Sequence, residues 1–151
     1  MDTGFVGFIK DFGVISTLAI ASFGSSLGVA AAGLAAVGAF KKCYLQNKTA
    51  PFILIVYIAA PISQTIYGMI LMQKLITVID KSPYLGTFGI LGGAGLAFSA
   101  YAQGRIGAAA ADATGETGKG ADKFLMALGI IETVALFVMV FTMRALDSIA
   151  K

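Results

Sequence analysis

The sequence has no histidine and no tryptophan, a single cysteine and three prolines. Without histidine, metal chemistry of the zinc or iron kind lacks its commonest nitrogen ligand. One thiol, Cys43, cannot close an internal disulfide, and within the polar stretch KKCYLQNK nothing gives it a special role. Charge is scarce too. Charged residues make up 13% of the chain against 58% apolar ones, and the formal net charge is +3. Most of that charge sits in short segments between apolar runs, which leaves no basic surface for nucleic acid. No GxxxxGK[ST] occurs, so the chain supplies no nucleotide site. With a mean hydropathy of +0.87, the composition is that of a membrane protein.

Four apolar runs are present: Val14–Phe40, Pro51–Ile76, Gly86–Ala111 and Phe124–Leu146. Each is long enough for a tilted transmembrane helix, which needs about 20 residues. Residues 1–12 read as a short amphipathic lead-in. The first run is too long for a signal-peptide core, so a cleavable signal is not expected. Connectors fall at Lys41–Ala50, Thr77–Leu85 and Asp112–Lys123. Four spans place both termini on one side of the membrane.

The first and third runs are rich in small residues, as in SFGSSLGVAAAGLAAVGAF and FGILGGAGLAFSAYAQGRIGAAA. Small residues let helices approach closely in lipid, where packing replaces the hydrophobic effect. These two runs should form a tight inner layer, with the bulkier second and fourth outside. A register that sets Gly24 on Gly95, Ala31 on Ala102, Gly33 on Gly104 and Ala39 on Ala110 also sets Ala50 on Ala121, Leu54 on Leu125 and Leu75 on Leu146. The chain therefore reads as two fused hairpins of the same orientation, residues 1–76 and 77–151, in a parallel repeat. The fold class expected is an all-α membrane protein of four transmembrane helices.

Inside the last run, FLMALGIIETVALFVMVFTMRAL, lies one carboxylate, Glu132. An ionised side chain at membrane depth costs about 3 kcal/mol or more, so it marks a functional site facing a bundle interior or an ion path. The other polar groups at depth are Ser63, Gln64, Thr65, Tyr67 and Gln103. Ala60, Ser63, Gln64 and Tyr67 follow i, i+3, i+4, i+7 spacing and share a helix face. Pro61 should kink its helix and leave a backbone oxygen available. Gln103 and Glu132 fall at similar depth from the same end. Together these groups offer a carboxylate, two amide oxygens, a hydroxyl and a carbonyl near Pro61. An all-oxygen shell with one negative charge suits a hard monovalent cation. A proton would need only Glu132. Interhelical hydrogen bonding is the structural alternative for each of Ser63, Gln64 and Gln103 taken singly.

These motifs resemble the proteolipid subunit of the V-type rotary ATPases, the doubled four-helix subunit of the membrane rotor ring. The likeness runs through the small-residue first and third helices, APISQTIYG, YAQGRIGAAA and GIIETVALF. Pro61, Ser63 and Gln64 together with Gln103 resemble the sodium-pumping branch. The resemblance implies a homo-oligomeric ring whose members carry Na⁺, with a proton as the alternative cargo. It implies ligands from the Ala60 carbonyl, Ser63, Gln64, Gln103 and Glu132, with Tyr67 bonded to Glu132. Ser63 stands where the sodium branch often has threonine, and the hydroxyl is kept. It further implies a stator membrane subunit presenting an arginine, central-stalk subunits docking on the hairpin loops, and no catalytic site in this chain. The hairpin loops are expected in the cytoplasm and both termini on the opposite side. A small four-helix proton-coupled exporter is the rival from another class. Such exporters usually carry their carboxylate in the first helix among aromatics that include tryptophan, and this chain does neither. A purely structural channel protein is the third reading.

Overall fold

The computed structural model describes residues 3–150 and consists of helices joined by tight turns. Helix α1 runs Thr3–Leu45, α2 Ile53–Ala59, α3 Ser63–Val78, α4 Gly86–Thr117 and α5 Ala121–Ile149. A 3₁₀ turn, Ala60–Ile62, joins α2 to α3, and two more, Ile79–Lys81 and Pro83–Leu85, lead into α4.

Several boundaries differ from expectation. The described part of the lead-in is not a separate element, because α1 continues through it from Thr3. Cys43 lies inside α1 and is buried, rather than in a polar loop. The connector expected at Asp112–Lys123 is helical at both ends, and the reversal takes only Gly118–Gly120. Both glycines of this turn have positive φ, 66° and 88°, a conformation that a side chain would oppose. Small and polar residues such as Asp112 and Thr114 read as loop in isolation, yet here they continue a helix already propagating.

Three stretches are long and apolar enough to cross a membrane: Gly4–Leu45, Ile53–Lys81 and Ala121–Ile149. α4, the fourth expected span, is a long helix but is not among them. Its glycines, alanines and polar side chains lower its hydropathy while suiting it for burial. Gly92, Gly93, Leu96, Ala100, Gly104 and Gly107 are all buried along it.

α4 packs most closely with α1. A Cβ added to Gly24 would fall on the Ala97 backbone, one added to Gly104 on the Gly28 backbone, and one added to Gly115 would meet Ala39. These partners advance together, so the two helices run parallel. Packing partners lie a few residues beyond the repeat counterparts, because counterparts point the same way and partners must face each other. The expectation of close packing between the small-residue helices is met.

Ion pairs mark the two ends of the bundle. Lys42 reaches Asp112 at 2.7 Å and Glu116 at 2.9 Å at the end where α1 finishes. At the other end Lys10 meets Asp80 at 3.2 Å and Lys74 pairs with Asp147. Exposed pairs of this kind contribute about 0–1 kcal/mol each, so their main use is to show where the polar ends of the bundle lie.

Candidate functional site

Pro61 shapes the helix that carries the site. It cannot donate a hydrogen bond and its ring crowds the preceding turn, so the α2–α3 rod tightens to a 3₁₀ turn instead of breaking. The carbonyl that proline leaves without its helical donor is Tyr57's, four residues earlier. That carbonyl faces Gly107 on α4, where a Cβ would come within 2.8 Å. The Ala60 carbonyl has a different use. It accepts from the backbone N–H of Ser63 and, at 3.0 Å, from the Ser63 hydroxyl.

Beyond that turn, α3 presents Ser63, Gln64 and Tyr67 toward α5, and all three reach Glu132. Tyr67 donates its hydroxyl to Glu132 Oε1 at 2.5 Å. Oε2 accepts from Ser63 Oγ at 2.9 Å, from Gln64 Nε2 at 3.1 Å and from Gln103 Nε2 at 2.8 Å. Four donors from two helices thus converge on one carboxylate. Hydrogen bonds to a charged acceptor are about twice as strong as neutral ones, and this convergence compensates the cost of holding a carboxylate away from bulk water.

The two glutamines also bond each other. Gln64 Nε2 donates to Gln103 Oε1 at 3.0 Å, and Gln103 Nε2 donates to the Leu128 carbonyl at 3.2 Å. Gln64 is fully buried and Gln103 is 2% exposed, so their amides are held inside the bundle with both polar ends partnered. Ser63 Oγ is crowded with oxygen. Within 3.2 Å lie the Ala60 carbonyl, Gln64 Oε1 and Glu132 Oε2. A hydroxyl has one proton to donate, so it cannot satisfy all three acceptors together.

An open cleft of about 590 Å³ reaches this cluster between α2–α3 and α5. Val56, Ala60, Ser63, Leu125, Gly129 and Glu132 line it. Nothing lies within 4 Å of a Cβ added to Gly129, so the wall is open beside the carboxylate. The cleft extends from Glu132 toward Leu125, which is the end of α5 nearest the Gly118–Gly120 turn.

Ser63, Gln64, Tyr67, Gln103 and Glu132 are therefore brought together, with the Ala60 carbonyl at the edge of the cluster. Thr65, on a different face of α3, makes no hydrogen bond to it. Two participants escape a reading of the sequence. Leu128 contributes only its carbonyl, and Ser99 on α4 donates to the Ile131 carbonyl at 3.1 Å, next to the carboxylate. Backbone acceptors carry no residue signature, and Ser99 looks like one more small residue in a small-residue helix.

Residues 87–143, which cover nearly all of α4 and α5 as far as Met143, match the family model for the ATP synthase C subunit. This is the family of ring-forming rotor proteins in the rotary ATPases, which translocate ions and have no catalytic site of their own. The match contains Gln103 and Glu132 but not Ser63, Gln64 or Tyr67. A search of curated proteins finds no match to the chain.

Proposed function

We propose that the chain is an ion-carrying member of the membrane rotor ring of a V-type rotary ATPase, with Na⁺ as its cargo. Its two hairpins, residues 1–76 and 77–151, are the doubled unit of such a ring, and α4 crosses the membrane shielded from lipid by its neighbours. The family match over 87–143 supports the rotor role. The long reach of α1, the parallel run of α1 and α4, and ion pairs confined to the bundle ends fit it.

The observation carrying the sodium reading is the crowding of oxygen at Ser63. Its hydroxyl has three oxygen acceptors within 3.2 Å and one proton. A small cation among these oxygens would meet the surplus acceptors, and the single charge of Glu132 would leave the loaded site neutral. Neutrality is what lets the site face lipid as the ring turns. Glu132, Ser63, Gln64, Gln103 and the Ala60 carbonyl are the proposed ligands, with Tyr67 holding Glu132 Oε1. Gln64 Oε1 already faces Ser63, so it can meet a cation there without turning, whereas Gln103 presents its nitrogen to the carboxylate and its oxygen to Gln64. A proton-carrying ring is the second reading; in it the Tyr67 or Ser63 hydroxyl, which can donate or accept, turns to accept from protonated Glu132.

In the proposed cycle a stator arginine pairs with the unloaded carboxylate, and central-stalk subunits dock on the cytoplasmic hairpin loops. Carbodiimide modification of Glu132 tests the cargo. Na⁺ at fixed pH and ionic strength should slow the reaction, while choline should not. A rate indifferent to Na⁺ assigns the site to protons.

A further inference from the structure

One face of α4 meets α5 along its length. A Cβ added to Gly92 would come within 3.4 Å of the Thr142 side chain, and one added to Gly95 within 2.9 Å of Val138. Further along the same face Ser99 donates to the Ile131 carbonyl at 3.1 Å, and Gln103 donates to the Leu128 carbonyl at 3.2 Å. Positions 92, 95, 99 and 103 are three or four residues apart, so they share a face, and their partners follow in reverse order. The contact changes from close packing at the glycines to hydrogen bonding where it reaches Glu132.

Both of those carbonyls hold the same peptide group. Glu132 lies inside α5, so its backbone N–H bonds the carbonyl four residues earlier, which is Leu128's. That N–H and the Ile131 carbonyl are the two ends of one planar unit. Gln103 therefore holds the acceptor at one end of the unit, and Ser99 holds the other end directly. Ser99 is 4% exposed. The hydroxyls of Thr17, Ser26, Thr117 and Thr133 each return to the carbonyl four residues back in their own helix, the ordinary local use. Ser99 instead crosses to the backbone of another helix.

We propose that Ser99 is a positioning residue that tunes Na⁺ affinity without touching the ion. It fixes the peptide from which Glu132 springs, so the carboxylate stays within reach of Ser63, Gln64, Tyr67 and Gln103. A site held in its binding geometry loses less on loading than one that must be ordered first. Gln103 cannot serve this purpose alone, because the nitrogen that holds Leu128 also bonds Glu132 Oε2 and takes part in loading. The Ser99 hydrogen bond goes to backbone and holds whether the site is empty or full. The inference rests on Glu132 carrying Na⁺.

Equilibrium binding of isotopic sodium to the purified ring tests this, with wild type, Ser99→Ala and Val138→Ala compared at one pH. Ser99→Ala folds readily, since alanine suits a helix and the Ile131 carbonyl keeps its own helical donor. It should need about three- to fivefold more Na⁺ for half-saturation, the worth of one hydrogen bond spent on ordering the site. Val138→Ala loosens the same helix contact, away from Glu132. It should lower the melting temperature of the ring in Na⁺-free buffer at least as much, yet keep half-saturation within about twofold of wild type. Equal affinity in wild type and Ser99→Ala overturns the inference and leaves the sodium site standing. Binding weakened in both variants in step with their melting temperatures also overturns it, because Ser99 then serves only helix packing. If the wild-type ring binds no Na⁺, the inference falls together with the sodium reading.

Discussion

Replacing Gly104 with alanine should force α1 and α4 apart at the level of the site. A Cβ at that position falls within the Gly28 backbone, which has no flexible side chain to swing away. The helices must separate or one must rotate, and overpacking of this kind costs about 1–3 kcal/mol. Against it stands the better helix propensity of alanine, about 1 kcal/mol in a helix interior. The net loss is about 0–2 kcal/mol per chain on these figures, and a ring repeats it in every copy. The shift also reaches the site, since Gly104 adjoins Gln103 and Gly28 packs on Pro61. Gly38 is the matched control, because nothing lies within 4 Å of a Cβ added there. In detergent, the temperature at which the assembly dissociates should fall for Gly104→Ala and hold or rise for Gly38→Ala. A Gly104→Ala assembly as heat-resistant as wild type would refute the close-packing argument.

Glu132→Gln keeps shape and some hydrogen bonding but removes the charge, so the ring should assemble and ion transport should be lost; transport by an assembled variant would make the carboxylate structural. Gln103→Ala removes a side-chain donor to Glu132 and to the Leu128 carbonyl, and it should weaken Na⁺ binding about tenfold or more at unchanged pH, as read by isotopic binding. For topology, Cys43 is a poor probe because it is buried. Lys119→Cys, in the exposed turn, should react with an impermeant thiol reagent in inverted vesicles and not in right-side-out ones, and the opposite pattern would reverse the assigned orientation.

How far the sequence anticipates the structure depends on what each residue contributes. Glu132 stands out because a carboxylate in an apolar run has few explanations, and Ser63, Gln64 and Tyr67 follow from helical spacing. Gln103 follows from matched depth. All of these act through side chains. The structure adds what spacing cannot show: the Leu128 and Ile131 carbonyls and the direction in which the amides point. Small residues signal close packing of the first and third helices, but the register of contact needs the backbone. Helix ends are the least legible part. Lys42, Asp112 and Glu116 look like loop and instead pair across two helices that continue past the apolar stretch.

The most direct test of Na⁺ as cargo is ATP-driven uptake of isotopic sodium into vesicles holding the complete complex, measured with and without a protonophore. A sodium rotor should continue to accumulate the isotope, or do so faster, when the protonophore removes the opposing voltage, and Glu132→Gln should abolish the uptake. Uptake that collapses with the protonophore would show that protons pass through Glu132 and that sodium moves only by exchange elsewhere.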